Sequence, residues 1–266
     1  MKDFSQYKLN VKKSPKDERD LKYKTFMPPI TLPEEVDYRD IFNRYFPIFD
    51  QGDQGSCAAC AGTAMRQIQE YNDIAFIKKL SEQFVYNNRE DLSEEGMYIR
   101  NLMDILLKMG ICISNLCPYG NLNKPSAKAY QDALKHVIEG YASVDSVLEL
   151  KTALYQKGPC VIAVPVYNYS TRMWKQQSGD EFLGGHSMAC VGYNKDGFII
   201  RNSWGEEWGD SGYCIMPYAD FALIWEVWST VDAKSIKTTT IAPVTTEAPL
   251  KTTTLPPEPK KSNYIW

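Results

Sequence analysis

The chain changes texture once, near Gly140, and that single change limits the folds open to it. Before it, apolar residues recur at helical spacing: Cys60, Ala64, Met65, Ile68 and Ala75 fall on one face of a helix expected from Cys57 to about Lys79. A second helix is expected at "SEQFVYNNRE" with Ser81 as its N-cap, and a third from about Ile99 to Met109, ended by Gly110. After Gly140 one more helix, Val147 to Gln156, precedes short β-branched or aromatic runs, "CVIAVPVY", "HSMACVGY", "GFIIRNSW", "GYCIMPY" and "WEVWSTV", separated by Gly and Asn/Asp turns. A helical half (about 47–140) followed by a strand-rich half (about 141–232) predicts an α+β chain with its active site in the cleft between them.

Two flanking segments differ from this body. Residues 1–31 carry eight Lys/Arg against four Asp/Glu, a balance of +4, and end in the extended "MPPITLP". With a net charge of −3 overall, the remainder holds −7 and attracts this basic lead. Residues 233–266 are Thr/Pro-rich, with "TTTIAP", "TTEAP" and "TTTLPP" starting at Thr238, Thr245 and Thr252, and read as a disordered, extended tail. No basic face interleaved with aromatics points to nucleic acid, and no apolar run approaches the ~18 residues of a membrane span. The polar start "MKDFSQYKLN" lacks a secretory h-region, which suggests cytosolic synthesis. Seven cysteines, an odd number, favour free or reactive thiols over a disulfide framework.

Only two histidines exist, His136 and His186, 50 residues apart, too far for a Cys2His2 zinc site. His136, in "ALKHVIEG", reads as a helix-surface residue. His186 follows a Gly pair at the start of an apolar strand, where a backbone can approach a ligand closely. Asn202 lies sixteen residues later, in a Gly-rich turn beside Trp204. A Cys, a His and an Asn from separate segments are the parts of a thiol protease: nucleophile, base, and an amide that orients the imidazole.

The contexts of these residues resemble the papain family of cysteine proteases. "LPEEVDYRD" is similar to its mature N-terminus, "PIFDQGDQGSC" to its nucleophile segment, "GGHSMACVGY" to its histidine strand, and "IIRNSWGEEWGDSGYCIMPY" to its Asn-Ser-Trp-Gly block. The resemblance runs from about Leu32 to Val231 and implies a papain-like fold, with a helical left domain and a β-barrel-like right domain. In "LSEQFVYNNRE" and "ILLKMGICISNLCPYG" the chain looks closer to the bacterial and giant-virus branch than to animal cathepsins. It also lacks the cysteine that in those enzymes pairs with the one three before the nucleophile, since the matching region reads "LSEEGMY".

The family places its oxyanion-hole Gln six residues before the nucleophile, and both Gln51/Cys57 and Gln54/Cys60 satisfy that spacing. The flanks favour the first pair. Pro47 and Asp50 stand before Gln51 as family members have them, and Gly55-Ser56 precedes Cys57 with Ala59 two residues on. Cys57 would also sit at the first turn of its helix, where the dipole and an imidazolium lower a thiol pKa, while Cys60 continues the face of Ala64 and Ile68 as a core position. The resemblance then implies an endopeptidase with Cys57, His186, Asn202 and Gln51 as catalytic residues, Trp204 shielding the His–Asn bond, and no metal or cofactor. Tyr98, Ile99, Ala163 and Ser187 would line a pocket for a hydrophobic side chain two residues before the cut, though each is equally readable as ordinary core. No His-His insertion resembles the occluding loop of cathepsin B. The lead occupies the place of an inhibitory propeptide.

Other readings are weaker. Cys57-Ala-Ala-Cys60 is also a C-x-x-C redox spacing, but that leaves His186 and Asn202 unexplained. A catalytically silent, protease-like binding module is the non-enzyme alternative. Cys160, Cys190 and Cys214 read as buried small hydrophobes, and Cys112 and Cys117 as residues flanking a loop, paired or free. The expected partners are protein or peptide substrates, and the chain is expected to be a monomer. The compartment is open, with packaging in a virion the reading if the source is viral.

Overall fold

The structure, a computed structural model, describes residues 2–231, so the Thr/Pro-rich tail expected from the sequence lies outside the described residues. Beyond the lead come β1 (Val36–Asp37), α1 (Arg39–Tyr45), α2 (Cys57–Ile74), α3 (Glu82–Asn87), α4 (Ile99–Lys108) and α5 (Ala127–Ala133). Then follow β2 (Tyr141–Ser143), α6 (Val147–Lys157), β3 (Cys160–Val166), β4 (Gly184–Tyr193), β5 (Phe198–Arg201), β6 (Tyr213–Met216) and β7 (Glu226–Thr230).

The Ala-rich start of α2 favours helix and keeps its surface thin enough to be packed on every side. All of its residues from Cys57 to Glu70 are buried, not just the expected stripe. Where α4 crosses, Gly62 leaves room for Leu102; a Cβ there would meet Leu102 Cδ1 at 2.5 Å. The helix stops at Ile74 rather than near Lys79 because Ala75 turns left-handed (φ 54) and the Phe76 N–H bonds back to the Glu70 carbonyl, closing the end in Schellman fashion. Ser81 caps α3 as expected, its Oγ accepting from the Phe84 N–H at 2.9 Å.

The strands form an antiparallel sheet in the order β2-β7-β3-β4-β5-β6, with β1 paired to the far end of β4. Both faces are covered, which is why its strands read as unbroken apolar runs. Side chains alternate between two cores: Val161 and Ala163 of β3 join the cluster under α2, while Ile162 and Val164 face the cluster with Trp174 and Trp208. Helix α2 packs across β3 and β4, placing its N-terminal turn beside the start of β4.

One residue moves from surface to interior relative to the sequence reading. His136 ends a short 3-10 turn (Leu134–His136) that folds it beneath α2, where it is 5% exposed and its Nδ1 lies 2.8 Å from Glu70 Oε2. Arg66, also on α2, bonds the same carboxylate, so the buried cluster ties α2 to the segment after α5 through the His136–Glu70 contact.

Candidate active site

Three loops converge where α2 begins. Asn202 directly follows β5, and its N–H donates to the Gly212 carbonyl at 2.9 Å. Residues 49–51 run alongside 203–205: the Gln51 N–H donates to Ser203 O at 2.9 Å, and the Gly205 N–H to Phe49 O at 2.9 Å. Buried Arg201 fixes the approach to this turn, donating to the carbonyls of Phe46 (3.0 Å) and Pro47 (2.6 Å). Gln51 and Asn202 are thus held by backbone pairing, with the buried Arg201 side chain fixing the segment that leads into Gln51.

His186, on β4, lies 2.7 Å through Nε2 from Asn202 Oδ1. That oxygen accepts, so Nε2 carries the hydrogen and Nδ1 holds the free lone pair; Nδ1 has no hydrogen-bond partner among the described residues. The Trp204 ring packs over the imidazole with centroids 4.7 Å apart, screening the His–Asn bond. Cys57 is the first residue of α2, and both it and His186 are at most 1% exposed. Burial pushes the Cys57 thiol up to about 11. Burial likewise pushes His186 down to about 4, against the Asn202 bond that would raise it. Both shifts favour a neutral thiol and a neutral imidazole while the site is buried.

Residues 4–11 of the lead lie over this site. Phe4 and Tyr7 stack on Trp204 at 6.1 and 5.5 Å, and the Tyr7 hydroxyl donates to Asp50 Oδ1 at 2.8 Å. Leu9 and Val11 then pair in parallel with the start of β4: Gly185 N–H donates to Leu9 O at 3.2 Å, and Val11 N–H to Gly185 O at 3.1 Å. The Gly pair exists for this approach, since a Cβ on Gly185 would sit 2.3 Å from the Val11 carbonyl oxygen. Gln51 Nε2 donates to the Lys8 carbonyl at 3.2 Å and its Oε1 accepts from Ser203 Oγ at 2.7 Å. Cys57, by contrast, shares its apolar cluster with the Val11 side chain of the lead.

The second half of the lead lies along the flank of the molecule. The Ser14 N–H donates to Glu226 Oε1 at 2.9 Å, Arg100 Nε to Asp20 Oδ1 at 3.0 Å, and Tyr23 is 1% exposed in the sheet-side core.

Of the expected pocket residues, Ile99 and Ala163 are fully buried in the cluster that holds Cys57 and the lead's Val11. Tyr98 lies at the rim, in a parallel bridge with Lys12, and Ser187 is buried with its Oγ donating to Ile162 O at 2.9 Å. Cys60 packs instead with Phe42, Phe46, Ala64 and Ile68, and Gln54 Nε2 donates to Gln83 Oε1 at 3.3 Å, away from the histidine. Sequence reasoning missed the contacts of the lead, Ser203 on Gln51, and the loop at Glu94 and Glu95. The alternation of "YKLNVK" (7–12) was the available signal for a strand in the lead. All seven cysteines are free and buried, Cys112 and Cys117 included.

Helices on one side, an antiparallel sheet on the other, and a Cys, His, Asn and Gln converging between them describe a thiol peptidase. A profile of the papain family cysteine proteases matches residues 32–222, and the chain belongs to that family. An uncharacterised peptidase C1-like protein of Acanthamoeba polyphaga mimivirus is 30% identical over 212 residues, 67% of this chain and 68% of that protein. A cathepsin B-like protein of Giardia intestinalis is 28% identical over 203 residues, 68% of each. Among solved structures, xylellain, a cysteine protease from Xylella fastidiosa, superposes with a TM-score of 0.73 at 28% identity over 87% of this chain and 98% of that one. The expected α+β papain-like architecture and the likeness to bacterial and giant-virus members are both borne out. No helix among the described residues is long and apolar enough to cross a membrane.

Proposed function

We propose that the chain is a cysteine endopeptidase held shut by its own first residues, with residues 32–232 as the peptidase and residues 1–31 as an inhibitory lead. The observation that carries the catalytic reading is the His186 Nε2 to Asn202 Oδ1 bond of 2.7 Å beneath Trp204, which leaves Nδ1 as the only ring atom able to exchange a proton. Cys57 is the nucleophile. Once the lead lifts, water and the positive end of α2 favour the thiolate–imidazolium pair.

In the reaction, Cys57 Sγ attacks the substrate carbonyl carbon. The oxygen takes up negative charge and is met by Gln51 Nε2 and the Cys57 backbone N–H. Collapse expels the amine, which takes the Nδ1 proton and leaves a thioester on Cys57. Water then attacks the thioester, gives its proton to Nδ1, and releases the acid product with Cys57 restored. Gln51 is oriented by Ser203, and its contact with the Lys8 carbonyl supports its role as a donor to a peptide oxygen. Val11, buried among Met97, Ile99 and Ala163, supports a preference for an apolar side chain two residues before the cut.

The test is mass spectrometry of the full chain after reaction with an epoxysuccinyl inhibitor, run beside Tyr7→Ala so that a blocked cleft is recognised. One adduct on the peptide holding Cys57 is expected in the variant at least. An adduct on Cys60, or none in either protein, overturns the assignment.

A further inference from the structure

We propose that the opened cleft selects extended peptides in which basic residues alternate with apolar ones, and that Glu94 and Glu95 read the basic positions. The inference rests on the proteolytic reading above and names the substrate class of that same site.

The cleft already holds one peptide, and its side chains sort onto two walls. Tyr7 and Val11 are buried, and Leu9 packs against the sheet-side core. Between them Lys8 Nζ lies 3.0 Å from Glu95 Oε2, Asn10 Nδ2 donates to the same oxygen at 3.1 Å, and Lys12 Nζ lies 3.2 Å from Glu94 Oε2. Odd positions thus face the apolar floor and even positions face the carboxylates, as the period of two in an extended chain requires.

The acidic wall is built into the fold. Arg89 Nε donates to the Glu94 carbonyl at 3.0 Å and its other nitrogens to the carbonyls of Tyr86 and Leu92, while its guanidinium lies 4.0 Å over the Tyr86 ring. This holds the loop against the cleft and leaves the Glu94 and Glu95 side chains turned to the bound strand. Gly96 next to them admits the strand's backbone, since a Cβ there would sit 2.0 Å from the Asn10 carbonyl oxygen. Across the groove stand Phe182 and Trp225, with ring centroids 6.0 Å apart. Alternation is the same whichever way a chain runs, so a substrate of either direction meets the same two walls. When the lead leaves, both carboxylates lose their counter-charges, and lysines flanking the apolar residue of a substrate restore them.

The test uses the full chain carrying Tyr7→Ala, which frees the cleft. Two internally quenched peptides differ only in presenting Lys-Val-Lys or Gln-Val-Gln around the buried position. The expected ratio of kcat/KM is about fivefold in favour of the lysine peptide at low salt, as two half-exposed ion pairs give. It should fall toward one when Glu94→Gln and Glu95→Gln are added, and also as salt shortens the screening length. Any further loosening of the lead by these substitutions speeds both peptides alike and cancels in the ratio. Equal rates in the Tyr7→Ala protein, or a preference that survives the double substitution, overturn the inference alone. Cleavage of neither peptide overturns the proteolytic reading and the inference with it.

Discussion

Cys57 and Cys60 lie one helical turn apart yet face different surroundings, and that difference separates two roles the sequence left in competition. Cys57 meets the lead's Val11 in the cleft, whereas Cys60 meets Phe42, Phe46 and Ile68 in the core. Cys60→Ala should therefore keep inhibitor labelling at Cys57 within about threefold of its rate. It should cost about 1 kcal/mol of stability, read as a fall of roughly 2–4 °C in Tm. Loss of labelling in that variant would return Cys60 to the active site. Gln51→Ala removes a side-chain donor but leaves the Cys57 N–H, so kcat should drop about 10²–10³-fold with labelling at Cys57 retained. In the sequence, the flanking residues and the place at the helix start favour Cys57 over Cys60. His136 was misread because its partner Glu70 lies 66 residues away, on a face of α2 that helical periodicity assigned to solvent.

At the scale of elements, the lead is two devices joined near Ser14. Its first half is a strand laid on β4 and clamped by rings on Trp204; its second half is packed into the body through Tyr23 and the Arg100–Asp20 pair. The two halves should respond differently to the same kind of change. Tyr7→Ala removes the ring on Trp204 and the bond to Asp50, so the labelling rate of Cys57 should rise about 10²-fold with a small change in Tm. Tyr23→Ala empties a core position at about 3 kcal/mol, so Tm should fall by roughly 6–12 °C. Equal effects of the two substitutions on both readouts would mean that the lead is one unit. The helices and strands of the body were legible because their periods are local. The placement of the lead was not, since the "YKLNVK" alternation announces a strand without saying which edge it joins, and Gly184 and Gly185 gain their meaning only beside it.

Across the whole molecule, closure of the lead is coupled to protons, and the coupling has opposite signs on the two sides of neutrality. In the closed state His186 is held at about 4, against an ordinary 6.5. Near neutrality the closed neutral pair and the open thiolate–imidazolium pair each hold one proton, so closure is flat there; as acid protonates the open thiolate, the open state binds a second proton that the closed His186 refuses until about pH 4, and closure weakens. Asp50 acts in the same direction: burial pushes its carboxyl up, but the bonds from Lys2 and Tyr7 of the lead and from the Gly52 N–H outweigh this and hold it below the ordinary value. The stabilisation those bonds give is lost as acid protonates it. Cys57, held at about 11 against an ordinary 9, works from the other side. Once the pH passes the value at which the open imidazolium loses its proton, the closed state still keeps the Cys57 proton, so opening is favoured again toward pH 11. Closure should therefore be strongest in a window around neutrality. The measurement is the labelling rate of the full chain divided by that of the full chain carrying Tyr7→Ala, which cancels the intrinsic reactivity of the thiol at each pH. The ratio should pass through a minimum in that window and climb on both sides, with the acid limb complete near pH 4. A ratio flat from pH 4 to 9 would mean that the lead closes the cleft without burying the His186 proton site.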